Sequence, residues 1–203
     1  MRLELTEVLA CPRCGTEHGL IALIDQMDGH RIVTGRLDCP NCEDRHPIRD
    51  AIVQLLGSGH DDRAEAQETP PDLATLSTAL LGPPEGPEVL LVGPGFPSLA
   101  GRLAELRPEA WVISYSALPQ QTHDRVHRMV PGSGNALPLR SARVHGVVLS
   151  GGSTVDMAEA ARVLLPGGRL VILAPGSAES PMCASVPLRE LASDVRAWLG
   201  VKT

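Results

Sequence analysis

Four of the five cysteines stand in two matched pairs, Cys11-Pro-Arg-Cys14 and Cys39-Pro-Asn-Cys42, with 24 residues between the pairs. Two residues between thiolates let a tight turn aim both sulfurs at one ion while backbone N–H groups point at them. Four thiolates in a tetrahedron suit Zn²⁺, and a closed four-ligand shell leaves no position for a reacting water. The expected role of Cys11, Cys14, Cys39 and Cys42 is therefore structural. The rival readings are a redox pair, an iron–sulfur cluster and unrelated thiols. A redox C-x-x-C comes singly and opens a helix in a thioredoxin-like unit, which the flanking pattern lacks.

Other chemistry-bearing residues are weaker. His123 and His127 have i, i+4 spacing able to grip a metal, but their context is a short polar stretch, and they read as solvated. Cys183 reads as a small buried residue rather than a nucleophile. No phosphate-cradling G-x-x-x-x-G-K-[ST] and no G-x-S-x-G elbow occurs.

Positioning these residues requires elements, and the chain divides at a shift in composition. Residues 1–56 hold both cysteine pairs and end in the apolar run Ala51-Ile-Val-Gln-Leu-Leu56. Residues 57–71 carry Gly, Pro and acids without apolar periodicity and read as a linker. From 72 to 203 helical and strand-like segments alternate, the pattern of a parallel α/β sheet. Strands are expected at 88–92, 111–113, 144–149 and 169–174. Helices are expected around Leu73–Leu80, Leu99–Leu106 and Val155–Leu165, the last with Ser153 and Asp156 as a capping box and Gly167-Gly168 as a stop. Leu188, Leu191, Ala192, Val195, Trp198 and Leu199 fit one face of a final helix.

Composition excludes several classes. With 43% hydrophobic and 21% charged residues the chain is globular in type. The formal charge of -6, from 24 acids against 18 bases, argues against a protein that grips phosphate backbones. Only four aromatics occur, Phe96, Trp111, Tyr115 and Trp198, so stacking on bases has little to work with. No apolar run is long enough for a membrane span and the first residues lack a signal-peptide pattern, so a reducing cytoplasm is expected.

Residues 1–56 resemble the small zinc-ribbon activator subunits of tRNA and release-factor methyltransferases. The resemblance rests on Leu5-Thr-Glu-Val-Leu-Ala-Cys-Pro-Arg-Cys14, the second cysteine pair, and His46-Pro-Ile-Arg-Asp-Ala-Ile-Val53. His46 stands where an aromatic is usual, and Val53 where a proline often occurs. In that family the ribbon does no chemistry and holds a methyltransferase, which implies a protein partner.

Residues 72–203 resemble class I S-adenosylmethionine-dependent methyltransferases, a doubly wound fold. The resemblance rests on Val89-Leu-Leu-Val-Gly-Pro-Gly95, Asn135-Ala-Leu-Pro-Leu139 and Glu159-Ala-Ala-Arg-Val-Leu-Leu-Pro-Gly-Gly-Arg-Leu-Val-Ile-Leu173. It implies an α/β protein, a zinc ribbon followed by a mostly parallel Rossmann-like sheet. That family's sheet ends in two further strands forming an antiparallel pair, and reading 188–199 as a helix leaves no room for them. The expectation is a truncated sheet whose open edge another subunit, or a second copy, covers.

The same resemblance places S-adenosylmethionine against Gly93, Gly95, Ser114 and Asn135. Those positions depart from the family pattern. The acid usual two residues before the first glycine is Leu91, the third glycine is Pro97, and the ribose acid falls near Ser114 or Tyr115. Asn135 stands for the acid that reads the adenine amine, and His145 or Gly146 for the Asp opening the fourth strand. Charge-assisted bonds are lost while packing residues remain. The leading expectation is a non-catalytic zinc-binding partner or scaffold that assembles with another protein, in which Tyr115 and Phe96 fill the cofactor cleft. The alternative is an active S-adenosylmethionine-dependent methyltransferase with an altered site.

Overall fold

The structure is a computed structural model and describes residues 1–55, 70–84, 86–96, 98–115, 123–130, 136–151, 153, 155–174 and 186–203. The linker reading for 57–71 falls almost wholly outside them, as do Asn135 and Cys183.

The N-terminal part begins with a 3-10 turn, Leu3–Glu7, followed by β1 (Ile21–Asp28), β2 (Arg31–Asp38), β3 (Arg45–Arg49) and β4 (Ile52–Gln54). Each of these strands pairs antiparallel with the next. The C-terminal part contains α1 (Pro71–Leu81), β5 (Glu88–Val92), α2 (Leu99–Leu106), β6 (Ala110–Tyr115), β7 (Val126–Val130), β8 (Val144–Ser150), α3 (Met157–Val163), β9 (Leu164–Leu173), β10 (Leu188–Ser193) and β11 (Ala197–Lys202).

All eleven strands form one sheet in the order β1-β2-β3-β4-β7-β6-β5-β8-β9-β11-β10. The five joints from β4 to β9 are parallel, and the joints outside them are antiparallel. The parallel strands are short apolar runs because both faces are covered. Leu90, Val92 and Val112 face the layer built by Leu73, Leu99 and Leu103, while Leu91, Ile113 and Val147 face Ala160, Ala161, Leu5 and Leu9.

The final segment corrects the sequence reading. Residues 188–202 form the antiparallel hairpin β10–β11, so the sheet is not truncated, and β11 covers the β9 edge that another subunit was expected to cover. The turn is set by Asp194, whose carboxylate accepts the Arg196 and Ala197 N–H groups at 2.7 and 2.8 Å. Trp198 lies in the core on one face while Ala197 and Leu199 lie in the core on the other. A strand buried on both faces shows no alternation, and the i, i+3, i+4 spacing is a coincidence of two strands read as one helix.

Two smaller corrections concern α3. Its N-cap is Asp156, whose carboxylate accepts the Ala158 N–H at 2.9 Å, while Ser153 Oγ accepts the Val155 N–H at 3.2 Å. The glycine pair does not stop the helix. It lies inside β9, where the pairing with β8 slips between Val144 and Gly146 and Gly167 takes a positive φ of 79°.

Candidate functional sites

The cysteine cluster is built by two knuckles of the same design. Cys11 opens the first, and the N–H of Gly15 closes it onto the Cys11 carbonyl at 3.0 Å. Cys39 opens the second, and the N–H of Glu43 closes it onto the Cys39 carbonyl at 3.0 Å. Both closing residues have positive φ, 90° for Gly15 and 60° for Glu43, a conformation that glycine adopts freely and glutamate does not. Arg13 bridges to Asp44 at 3.2 Å and ties one knuckle to the other.

The four Sγ atoms lie within 4.8 Å of one another. Cys11 and Cys42 are 3.6 Å apart, and Cys14 and Cys39 are 3.7 Å apart. Metal–sulfur bonds of about 2.3 Å in a tetrahedron separate the sulfurs by about 3.8 Å, so the residues fit a four-coordinate ion such as zinc. The electrostatics fit as well. Burial opposes a thiolate at Cys39, but N–H groups of Cys42 and Asn41 and the neighbouring thiols outweigh it and bring Cys39 down to about 7. The Asp44 N–H favours a thiolate at Cys42, yet burial and the neighbouring sulfurs push it up to about 12. Without a cation the sulfurs compete for charge, and a bound divalent ion removes that conflict.

The knuckles dock on the rest of the chain. Leu9 bridges to Leu139, Ala10 N–H donates to the Pro138 carbonyl at 3.0 Å, and Arg140 N–H donates to the Val8 carbonyl at 2.8 Å. The segment receiving them is held by α3. Glu159 accepts the Leu137 N–H at 2.9 Å, and Arg162 donates to the Leu137 and Leu139 carbonyls at 2.9 and 2.7 Å. Farther along the seam, the guanidinium groups of Arg2 and Arg125 lie over the Trp111 ring, 4.5 and 4.2 Å from its centroid. His127 packs against the same ring. It is buried on β7 rather than solvated, which corrects the reading of the 123–127 stretch. Burial and the charges of the amino terminus, Arg31, Arg2 and Arg125 hold its pKa down to about 3. His46, in the slot where an aromatic is usual, is fully buried, and neither ring nitrogen has a hydrogen-bond partner among the described residues. Burial lowers its pKa too.

The expected cofactor residues lie at the C-terminal ends of β5 and β6. Gly93 follows β5, its N–H donating to the Val148 carbonyl at 2.9 Å. A Cβ on Gly93 would meet Leu149 Cδ2 at 2.6 Å, and one on Gly95, whose φ is 116°, would meet Ser150 Oγ at 2.6 Å. Ser150 Oγ also donates to the Pro94 carbonyl at 3.1 Å. Gly95 is thus required by its φ and its contact with Ser150, and Gly93 is hemmed by the Leu149 side chain, with no ligand invoked. Ser114 is fully buried at the end of β6, beside Val92. Phe96 and Tyr115 are both buried but belong to cores on opposite faces of the sheet, so they do not fill one cleft together. No carboxylate stands at Leu91 or Ser114, the positions where the resemblance expected one.

Comparison with known proteins finds similarity to one family model and to several solved structures. Residues 2–50 match the family model described as Trm112p-like protein. No curated protein matches the chain. Among solved structures, the geranyl diphosphate C-methyltransferase from Streptomyces coelicolor A3(2) is similar at 19% identity and a TM-score of 0.40, over 49% of this chain and 42% of that one. The chain therefore spans under half the length of that enzyme. The antibiotic-resistance methyltransferase Kmr is similar at 15% identity and a TM-score of 0.42, over 72% of this chain and 96% of that one. A variant of the 16S rRNA (adenine(1408)-N(1))-methyltransferase from Catenulisporales acidiphilia gives 12% identity, a TM-score of 0.36, and coverage of 68% and 93%. Among the described residues, no helix is long and apolar enough to cross a membrane.

Proposed function

We propose that this methyltransferase-related protein is non-catalytic: its C-terminal part keeps the fold without the cofactor site, and its ribbon holds one structural zinc and braces that part within the same chain. The observation that carries the reading is the packing of Leu149 and Ser150 of β8 into the space beside Gly93 and Gly95. Backbone that approaches a nucleotide closely needs that space open. The buried hydroxyl of Ser114 adds to it, since a ribose held by a carboxylate gains charge-assisted bonds that a hydroxyl does not supply.

The zinc reading is supported by the all-sulfur donor set and its spacing. In the family that the N-terminal part resembles, the ribbon holds a methyltransferase as a separate protein. Here β4 lies against β7 of its own chain, so the brace operates in cis. Assembly with another protein would then use the β1 edge, where Ile21, Leu23, Ile24 and Met27 remain exposed.

The test is calorimetric titration of the zinc-loaded full chain with S-adenosylmethionine and with S-adenosylhomocysteine. Absence of binding at millimolar ligand is the expected result. Micromolar affinity for either would overturn the non-catalytic reading and favour a methyltransferase with an altered site.

A further inference from the structure

A cavity of about 460 Å³ lies at the opposite end of the sheet from Gly93 and Ser114, where the C-terminal ends of α1 and α2 meet the starts of β5 and β6. Its volume is in the range of small-molecule sites, and like them it is mainly apolar. Ala79 and Leu106 belong to the last turns of the two helices, and Pro83 and Pro108 lie just beyond them. All four are exposed. Leu106, the last residue of α2, keeps 48% of its surface open to solvent.

The charge around this cavity is negative. Both helices point their C-terminal ends at it, and the carbonyls there form the negative pole of each helix. Among the described residues of the lining the cation is Arg107, and it is already committed. It is buried, with Nη1 donating to Glu88 Oε1 at 2.5 Å and Nη2 to the carbonyls of Thr78 and Gly82. Glu88 Oε2 is left over. It accepts no hydrogen bond among the described residues, yet it is not fully enclosed, and Glu88 lines the cavity. Glu109 lines it too, one residue before Ala110, which is the register partner of Glu88. Glu109 is exposed and has no ion pair or hydrogen bond among the described residues. Arg107 and Glu88 cancel, so Glu109 and the two helix ends leave an apolar cavity with a net negative border.

We infer that this cavity is a binding site for a small apolar molecule carrying one protonated amine. The body lies against Ala79, Leu106 and the prolines. The ammonium lies toward Glu109 and Glu88 Oε2, at helix ends that favour a cation, and its hydrogen bonds to carboxylates are of the charge-assisted kind. An anionic guest would meet the same groups with the sign reversed. The site is separate from the expected cofactor position and does not depend on whether that position binds anything.

The probes share one apolar body: 1-naphthylmethylamine, the neutral 1-naphthylmethanol and the anionic 1-naphthoate. Each is titrated by calorimetry into the zinc-loaded full chain at neutral pH. The amine is expected to bind at least about tenfold more tightly than the alcohol, and the naphthoate more weakly than either. Glu109→Gln, at an exposed turn position, should lower amine affinity about threefold, the worth of one exposed ion pair, and leave the alcohol unchanged. Leu106→Lys, also at an exposed position, sets a cation at the rim and should lower amine affinity while raising that of the naphthoate. Leu23→Lys on the exposed β1 edge makes the same change of charge far from the cavity and should alter none of the three. Equal affinity for amine and alcohol, or no amine binding at millimolar concentration, would overturn the site. So would amine affinity that is unchanged in Glu109→Gln or in Leu106→Lys, or that falls equally in Leu23→Lys.

Discussion

Val53 of β4 lies beside Met129 of β7 in parallel register, and both side chains are fully buried. The ribbon's last strand is thereby the neighbour that the parallel sheet lacks on its β7 side. One core runs through the contact, from Leu5, Leu9 and Ile48 to Ile113, Leu139 and Leu149.

Because that core is shared, Met129→Ala should weaken both parts together. A buried methionine cut to alanine costs about 2–5 kcal/mol. A single cooperative thermal transition, moved downward as a whole, is the expected result. Two separated transitions would show that the parts fold independently.

Removing the metal should act through the same contact. Cys39→Ser, or a strong chelator, is expected to reduce bound zinc from about one ion per chain to none. Through the shared core, loss of the ribbon is expected to expose Trp111, which Arg2 of the ribbon overlies. Tryptophan emission should shift to longer wavelength, because Trp111 at the ribbon contact and Trp198 in the same core both lose their packing. Emission that does not respond to chelation would contradict the cis brace.

The glycines beside β8 give a test that involves no ligand. Gly93→Ala would place its Cβ against Leu149 Cδ2 and should destabilise the fold. Leu149→Ala alone leaves a cavity and costs about 2–5 kcal/mol. The double variant should cost less than the two singles combined, because the added methyl enters the space that the leucine leaves. Strict additivity in denaturant unfolding would mean that Gly93 is not held by this packing.

Acid should weaken the protein through His127 before its carboxylates titrate. The unfolded imidazole takes a proton near 6.5, and the folded one only near 3. The unfolded state therefore binds more protons between those values, and stability falls as pH drops through that window. The steepest contribution of one such group is about 1.4 kcal/mol per pH unit. His46, lowered in the same direction, adds to it. Denaturant midpoints between pH 7 and 5 should fall less steeply in His127→Gln than in the parent chain. Equal slopes would remove His127 from the account.

Much of this was legible in the sequence, for identifiable reasons. Metal spacing is local, so Cys11, Cys14, Cys39 and Cys42 declared their site without any tertiary information. Strands buried on both faces declare themselves as apolar runs, as β5 and β8 do. β11 is such a run, but only six residues long, and its apolar positions joined those of β10 into a false helical stripe. β7 was missed because His127 and Arg128 make it look polar, although its histidine is buried. Pairing between distant strands has no local signature, so the contact of β4 with β7 could not be read from either segment. The Arg107–Glu88 pair escaped for the same reason, since a turn arginine and a strand-opening glutamate look like surface residues until α1 folds over them.

The place of β4 in the sheet also bears on how the chain folds as it is synthesised. The ribbon emerges first, and its own hairpins and cysteines are complete by residue 54. Its partner strand follows about 75 residues later, so joining them closes a long loop and contributes to a high contact order. During that interval β4 is an unpaired edge carrying Val53, and the nascent ribbon is open to pairing with the wrong strand. A metal bound early would hold the ribbon in a single register while the chain waits for β7.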